Sequence, residues 1–283
     1  MLFILLLPLC CILFFQCLTY TLCIVANARS GYLQQIRSSL PGGIAINIAR
    51  AFGRSLVSVL FLLLVFPLHK RLELPCTGTK PGSGPVIILI HGLYHNASAW
   101  VRLRSGLQRA GFTNICTWSY TSWGQDFETL AGRLVRDVTA LAGKYRGQGV
   151  VLIGHSLGGL LGKEAVYRIG DSGSITALVT LAAPHRGSQL ARWGINALAR
   201  SLASSNALFS HGRRPWPAQS VKCLNLYPAV DNMVLPGQAL VAPEPGWEQH
   251  MMGPLGHVGI LFDRSTRARC RAFLQELSGH PTS

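Results

Sequence analysis

Residues 149–159 read Gly-Val-Val-Leu-Ile-Gly-His-Ser-Leu-Gly-Gly. An apolar, β-branched run breaks there into Gly-x-Ser-x-Gly around Ser156, and a helical pattern starts at Leu157. A buried strand ending in a turn too tight for side chains at 154 and 158 lifts one hydroxyl onto the sheet edge. The helix beginning beneath it aims its first amides at whatever the serine attacks. In a chain of 283 residues with 30 glycines, composition alone supplies about 0.25 such patterns. Its place between a strand and a helix is what carries information.

Outward from this stretch the pattern alternates. Thr77–Pro85 is a Gly/Pro-rich linker leading into the strand-like run Val86–Ile90. His91-Gly92-Leu93 follows, then Asn96 as a cap for a helix through Trp100, Leu103 and Leu107 that Gly111 stops. Asn114–Tyr120 reads as a strand. A long helix then carries Leu130, Leu134, Val138, Leu141 and Tyr145 on one face and ends at Gly147. Gly149–Ile153 is a strand, Leu157 to about Ile169 a helix, and Ile175–Leu181 and Val221–Leu226 are further strands. Near-continuous apolar strands alternating with helices predict an α/β fold, with a mostly parallel central sheet covered on both faces.

A hydroxyl that cleaves an ester needs a base, an acid to orient that base, and donors for the oxyanion. Downstream of Ser156, Asp231 lies five residues past the strand Val221–Leu226, in a loop at its carboxyl end. His257 follows in Gly-His-Val-Gly-Ile-Leu, a loop entering a terminal apolar element. The chain order is then serine, acid, histidine. The plain alternatives are a serine in a Gly-rich turn, a turn-forming Asp before Asn232, and a loop histidine. Among rival acids, Asp171 sits in a Gly/Ser turn straight after the nucleophile helix, and Asp263 follows the histidine. Of the other histidines, His155 is expected to point away beside the turn, and His185 and His250 to lie in mobile loops. His91 braces the oxyanion loop. The oxyanion donors are read as the backbone amides of Leu157 and of Leu93, where Gly92 lets the chain approach closely.

Val86–Gly92 (VIILIHG), Gly154–Gly159 (GHSLGG), Ala182–Ser188 (AAPHRGS), Asp231 and Gly256-His257 together resemble lipases and esterases of the α/β-hydrolase fold. The run Ala183–Ser188 is similar to the segment after the corresponding strand in bacterial triacylglycerol lipases and in inositol-deacylating membrane hydrolases. The resemblance spans about three quarters of the chain. It implies Ser156 as nucleophile, Asp231 as acid, His257 as base, and Leu93 and Leu157 as oxyanion amides. The calcium-ligating aspartates and the disulfide of secreted bacterial lipases are not carried onto this chain, and no cofactor or metal is implied.

The first 73 residues lie outside that resemblance. Met1 to Ala28 holds no charged residue, is long enough to cross a hydrocarbon core, and lacks the basic start and cleavage site of a secretory signal. A retained transmembrane helix is expected, with Pro8 tolerated inside it. A second run, Ser55–Leu68, either spans as well, making a helical hairpin, or lies on the surface. Arg29, Arg37, Arg50 and Arg54 between the two runs place the connector in the cytoplasm by the positive-inside rule. Two spans then put the remaining chain on the periplasmic side of a bacterial inner membrane, and one span leaves it cytoplasmic; His69, Lys70 and Arg71 pull the other way. The expected organisation is an anchor over 1–73 and a catalytic domain over 74–283, with a lid at 187–219. Within that lid, Arg192, Asn196 and Arg200 form the polar stripe of an amphipathic helix, with Leu190, Trp193, Leu198 and Leu202 opposite.

The formal charge is +15 for the chain and +10 from residue 74 onward. Such a domain is drawn to anionic headgroups, or else merely carries solvated arginines. No aromatic-interleaved basic cluster points to nucleic acid. Cys76, Cys116, Cys223 and Cys270 are widely scattered without metal-binding spacing; one disulfide among them is open, with free core thiols the default. The expected function is a membrane-anchored serine hydrolase of carboxylic, lipid-like esters. The alternatives are an acyltransferase or thioesterase on the same fold, or a non-catalytic membrane interaction module.

Overall fold

The computed structural model describes residues 2–76, 84–145, 147–210, 216 and 220–278. Most of the linker and the later part of the expected lid, at 77–83, 211–215 and 217–219, therefore lie outside the described residues.

Among the described residues six strands form one sheet in the order β2-β1-β3-β4-β5-β6, and every neighbouring pair runs parallel. They are β1 (Val86–Ile90), β2 (Ile115–Trp118), β3 (Val150–His155), β4 (Ile175–Leu181), β5 (Lys222–Pro228) and β6 (Glu248–Met252). The helices are α1 (Leu2–Arg29), α2 (Tyr32–Ser39), α3 (Gly43–Val65), α4 (His69–Leu72), α5 (Val101–Arg109), α6 (Phe127–Lys144), α7 (Leu157–Ile169), α8 (Ala197–Ser201), α9 (Ala207–Ser210) and α10 (Arg264–Leu277).

The β1–β5 strands are buried on both sides because successive side chains feed two cores. Cys116, Ile88, Leu152, Leu178 and Cys223 stand in register across the sheet and face α6 and α7. Ile115, Ile87, Val151 and Ala177 form the next row and face α5 and α10. Helix α6 buries Phe127, Leu130, Ala131, Leu134 and Val138 at helical spacing; Asp126 caps it, accepting from the Thr129 amide at 2.7 Å. Asp263 caps α10 in the same way, accepting from the Thr266 amide at 2.9 Å, so this rival acid has a structural task.

Strand β6 was not legible: Glu-Gln-His-Met-Met is a half-exposed edge with no apolar run. The expected lid helix is also corrected. Gly194 and Ile195 break it into a 3-10 turn over Gln189–Trp193, capped by Ser188, and the short α8, capped by Asn196. Trp193 consequently points outward at 71% exposure while Leu198 and Leu202 are buried, so they share no face. Of the four scattered cysteines, Cys223 and Cys270 are free and buried as the default had it, and the one disulfide left open is present. Cys76 and Cys116 form a disulfide with Cα atoms 4.9 Å apart, fastening the segment after α4 to the edge strand β2.

Among the described residues two helical segments, Leu7–Arg29 and Gly43–Leu72, are long and apolar enough to cross a membrane. Each also lays one face on the sheet-bearing body. Helix α1 buries Gln16, Thr19, Tyr20, Cys23 and Asn27; α3 buries Asn47, Ala51, Ser55, Ser58 and Leu62. Their outer faces carry exposed Phe14, Leu18, Val25, Val57, Leu63 and Leu64.

The crossing from β3 into α7 has no spare volume. A Cβ at residue 154 would stand 2.3 Å from the Gly158 carbonyl oxygen, and one at residue 158 would stand 2.1 Å from the Ile90 carbonyl oxygen. Backbone, not a movable side chain, blocks both. The substitution Gly158→Ala is expected to lower stability by about 3 kcal/mol or more, a fall of roughly 6–12 °C in Tm for a domain of this size. A thermal melt checks it; an unchanged Tm would show that β1 can move away.

Candidate active site

Ser156 sits between these two glycines with φ 53° and ψ −120°, a conformation that L-residues rarely adopt. The surrounding hydrogen bonds hold it there. Its amide donates to the Leu181 carbonyl at 2.9 Å, and its own carbonyl accepts from Gly159 at 3.0 Å. The predicted turn is therefore present, with the serine on the carboxyl edge of the sheet and 8% exposed.

The structure brings Asp231 and His257 together. Asp231 lies in the loop after β5 and is almost fully buried. Its Oδ1 accepts from the amides of Met233 and Val234, each at 2.8 Å, which fixes the carboxylate. Its Oδ2 lies 2.8 Å from Nδ1 of His257, which follows β6. A carboxylate only accepts, so Nδ1 carries a proton, and in the neutral ring Nε2 then keeps the lone pair. The His257 ring stands 4.9 Å from the ring of His155, the residue directly before the serine.

Leu93 and Leu157 lie on the two segments that approach each other at this turn. Leu157 is the first residue of α7, so its amide has no acceptor one turn back within the helix. Leu93 follows Gly92, where a Cβ would come within 3.1 Å of the Ser156 Cβ and 2.8 Å of His155 Nδ1. Only glycine lets β1 pass this close to the turn. His91 braces the loop as expected: its Nδ1 donates to the Gly92 carbonyl at 2.9 Å, and its Nε2 accepts from the Tyr120 amide at 3.2 Å. The next loop residue, Tyr94, has φ 58°, and its amide donates to Ser122 Oγ at 2.8 Å.

Three residues have parts that the sequence does not reveal. His155 does not point away; it is buried, and its Nε2 donates to the His257 carbonyl at 3.1 Å. Asn232 joins the acid loop to the histidine loop, its Oδ1 accepting from the His257 amide at 3.2 Å. Gly256 is confined, since a Cβ there would meet Ser55 Oγ and the Tyr20 hydroxyl at 2.5 Å each. The one available signal was Asn232 directly after Asp231, which reads equally well as turn chemistry. His185 is likewise no loop residue in solvent. It is buried, with Nε2 3.2 Å from Thr180 Oγ1, and that hydroxyl donates to Asn225 Oδ1 at 3.0 Å. His250 lies in β6, within reach of Glu248. Among the described residues no group of three metal-ligating side chains occurs.

Burial pushes the imidazolium of His91 down to about 4 and that of His95 to about 3. It also pushes His155 and His185 well below the ordinary histidine value. All four lie below their unfolded value of about 6.5, so the unfolded chain binds more protons in acid. Their contribution to stability is complete above that pH and is lost as pH falls toward the folded values. Tm is therefore expected to drop steeply between about pH 6.5 and 4. Thermal melts across that window check it, and a flat Tm would contradict neutral burial of the four rings.

No curated protein matches the chain in sequence. Its structure is similar to the mature lipase BlEst2 of Bacillus licheniformis, with TM-score 0.56 and 16% identity over 69% of this chain and 94% of that one. It is also similar to Aspergillus fumigatus lipase B, with TM-score 0.52 and 14% identity over 72% of this chain and 55% of that one. A third similar structure is MGS-MChE2, an alpha/beta hydrolase enzyme from a lagoon-sediment metagenome of Mar Chica, Morocco. Its TM-score is 0.51, with 14% identity over 70% of this chain and 94% of that one. At such identities the likeness speaks for the fold. The sequence profile of the alpha/beta hydrolase family matches residues 87–278, from the second residue of β1 to the last of the described residues. This chain belongs to the alpha/beta hydrolase family.

Proposed function

We propose that the chain is a membrane-anchored serine hydrolase that cleaves carboxylic esters of lipids through an acyl-enzyme at Ser156. The observation that carries this reading is the 2.8 Å contact of His257 Nδ1 with Asp231, a carboxylate held by two amides, with the His257 ring 4.9 Å from that of His155, the residue before a serine on a strained turn. Membership of a hydrolase family with lipases among its structural neighbours agrees with it.

In the proposed reaction His257 Nε2 takes the Ser156 proton as Oγ attacks the ester carbonyl carbon. The carbonyl oxygen becomes an oxyanion and accepts from the Leu93 and Leu157 amides, each such donor lowering the barrier by about 3 kcal/mol. The intermediate collapses, the C–O bond breaks, and His257 returns the proton to the departing alcohol. Water then attacks the acyl-enzyme by the same route and frees Ser156. Asp231 holds the tautomer and stabilises the imidazolium throughout.

An apolar, membrane-bound substrate is supported by exposed apolar side chains near the loop after β1, where the Trp123 ring stands 5.3 Å from that of Tyr94. Trp123, Trp193 and Ile195 are strongly exposed, and Asn196 Nδ2 ties the lid segment to the Ser122 carbonyl at 2.7 Å. The exposed apolar faces of α1 and α3 support the anchor. The Cys76–Cys116 disulfide favours an oxidising compartment, in keeping with a catalytic part on the periplasmic side.

A fluorophosphonate probe on the detergent-solubilised chain is expected to label the wild type and leave Ser156→Ala unlabelled. Labelling that persists in the variant would remove Ser156 from the mechanism. In an ester series of increasing acyl length, Ser156→Ala should lower kcat by about 10⁴-fold or more, and Asp231→Asn by about 10³–10⁴-fold. Transfer of the acyl group to an added alcohol or thiol in preference to water would identify an acyltransferase instead.

A further inference from the structure

The two N-terminal helices have an inner face that no anchor requires. A helix meant only to sit in lipid has no use for buried polar side chains, which are scarce in such segments and face protein where they occur. Helix α1 buries Gln16, Thr19 and Asn27 almost completely. All three are engaged by the loop that carries Asp231. Asn232 Nδ2 donates to Thr19 Oγ1 at 2.9 Å and to Gln16 Oε1 at 3.4 Å. Asn27 Oδ1 accepts from the Gly237 amide at 2.8 Å.

The same arrangement reaches His257. Asn232 receives the His257 amide on Oδ1 while its Nδ2 is held by α1, so one side chain spans from the helix to the histidine backbone. Thr19 is satisfied on both sides, since its hydroxyl also donates to the Gln16 carbonyl at 3.2 Å. Helix α3 closes on the histidine loop from its own direction. Ser55 and Tyr20 crowd Gly256, and the Phe61 ring meets Phe262 edge-on at 5.1 Å. Tyr20, Cys23, Tyr32, Ile36 and Ala51 share one apolar cluster with Ala229, Val230 and Leu235 of the acid loop.

We propose that α1 and α3 are part of the catalytic apparatus, and that Thr19 is a positioning residue acting through Asn232 to hold His257 in line with Ser156. The inference rests on the reading of His257 as the base. Loss of the Thr19 oxygen leaves the Asn232 amide nitrogen only the longer 3.4 Å bond to Gln16, and the His257 backbone it holds shifts with it. Small misplacements of a reacting group lower the chemical rate while substrate binding is untouched. The outer faces of these helices are the ones offered to lipid, so the anchor and the alignment of the base are one element.

The test compares wild type, Thr19→Val and Thr19→Ser as full chains in detergent, with active serines counted by fluorophosphonate titration. Thr19→Val keeps the side-chain shape and removes the acceptor; Thr19→Ser keeps the acceptor. The expected result is a kcat per labelled serine about tenfold lower in Thr19→Val, a KM within twofold of wild type, and recovery in Thr19→Ser. A merely structural role would lower the number of labelled serines and leave kcat per serine at the wild-type value, which overturns the proposal. A wild-type chain that takes no label at Ser156 overturns the hydrolase reading itself, and the positioning role with it.

Discussion

The steric closure of the β3–α7 turn is the constraint on which the site depends. Gly154, Gly158 and Gly92 each stand where a methyl group would strike backbone or the residues of the turn itself. With that volume denied, the end of β1 and the start of α7 pack backbone to backbone, and the segment at Gly92 closes on Ser156. The positive φ of Ser156 is the local cost of this packing, and strand pairing on both sides over-determines it. A looser turn would still present a hydroxyl, but without the close approach of the Gly92 segment to Ser156.

From that point the polar connections run outward in layers. Asp231 is oriented by two amides of its own loop, and His257 by Asp231, His155 and Asn232. The loops themselves are then held by neighbours. Ser188 Oγ donates to the Met233 carbonyl at 2.8 Å and accepts from the Leu235 amide at 3.0 Å, tying the segment after β4 to the acid loop. Helices α1 and α3 complete the enclosure from the far side. Carboxyl-edge loops are ordinarily the mobile part of an open α/β sheet. Here both loops bearing the proposed acid and base are backed by long helices.

Much of the catalytic region was legible because its signals are local. Helix α7 and strand β4 match their expected bounds, since β-branched runs, capping residues and glycines act within a few positions. Asp231 and His257, candidates by chain order and by placement after strands, do meet in the structure. The failures are equally physical. Strand β6 is a half-exposed edge, so burial does not write a pattern on it. The lid helix failed because Gly194 packs its backbone against Ala199, a contact no periodicity reveals. His185 reads as a loop residue, yet Thr180 and Asn225 from neighbouring strands bury it.

The sequence by itself determined the parallel sheet, the turn at Ser156, the chemical groups available at the carboxyl edge, and the apolar character of the first helices. These follow from period, propensity and steric rules that operate over a turn or a strand. Only the tertiary structure decided what those groups meet. Cys76 finds Cys116, His155 reaches the backbone of His257, and Asn232 bridges to Thr19 across 213 positions of chain. Such pairs depend on how the chain closes over itself. Hydropathy marks α1 as fit for lipid on every side, and its folded partner shows that one side is already taken.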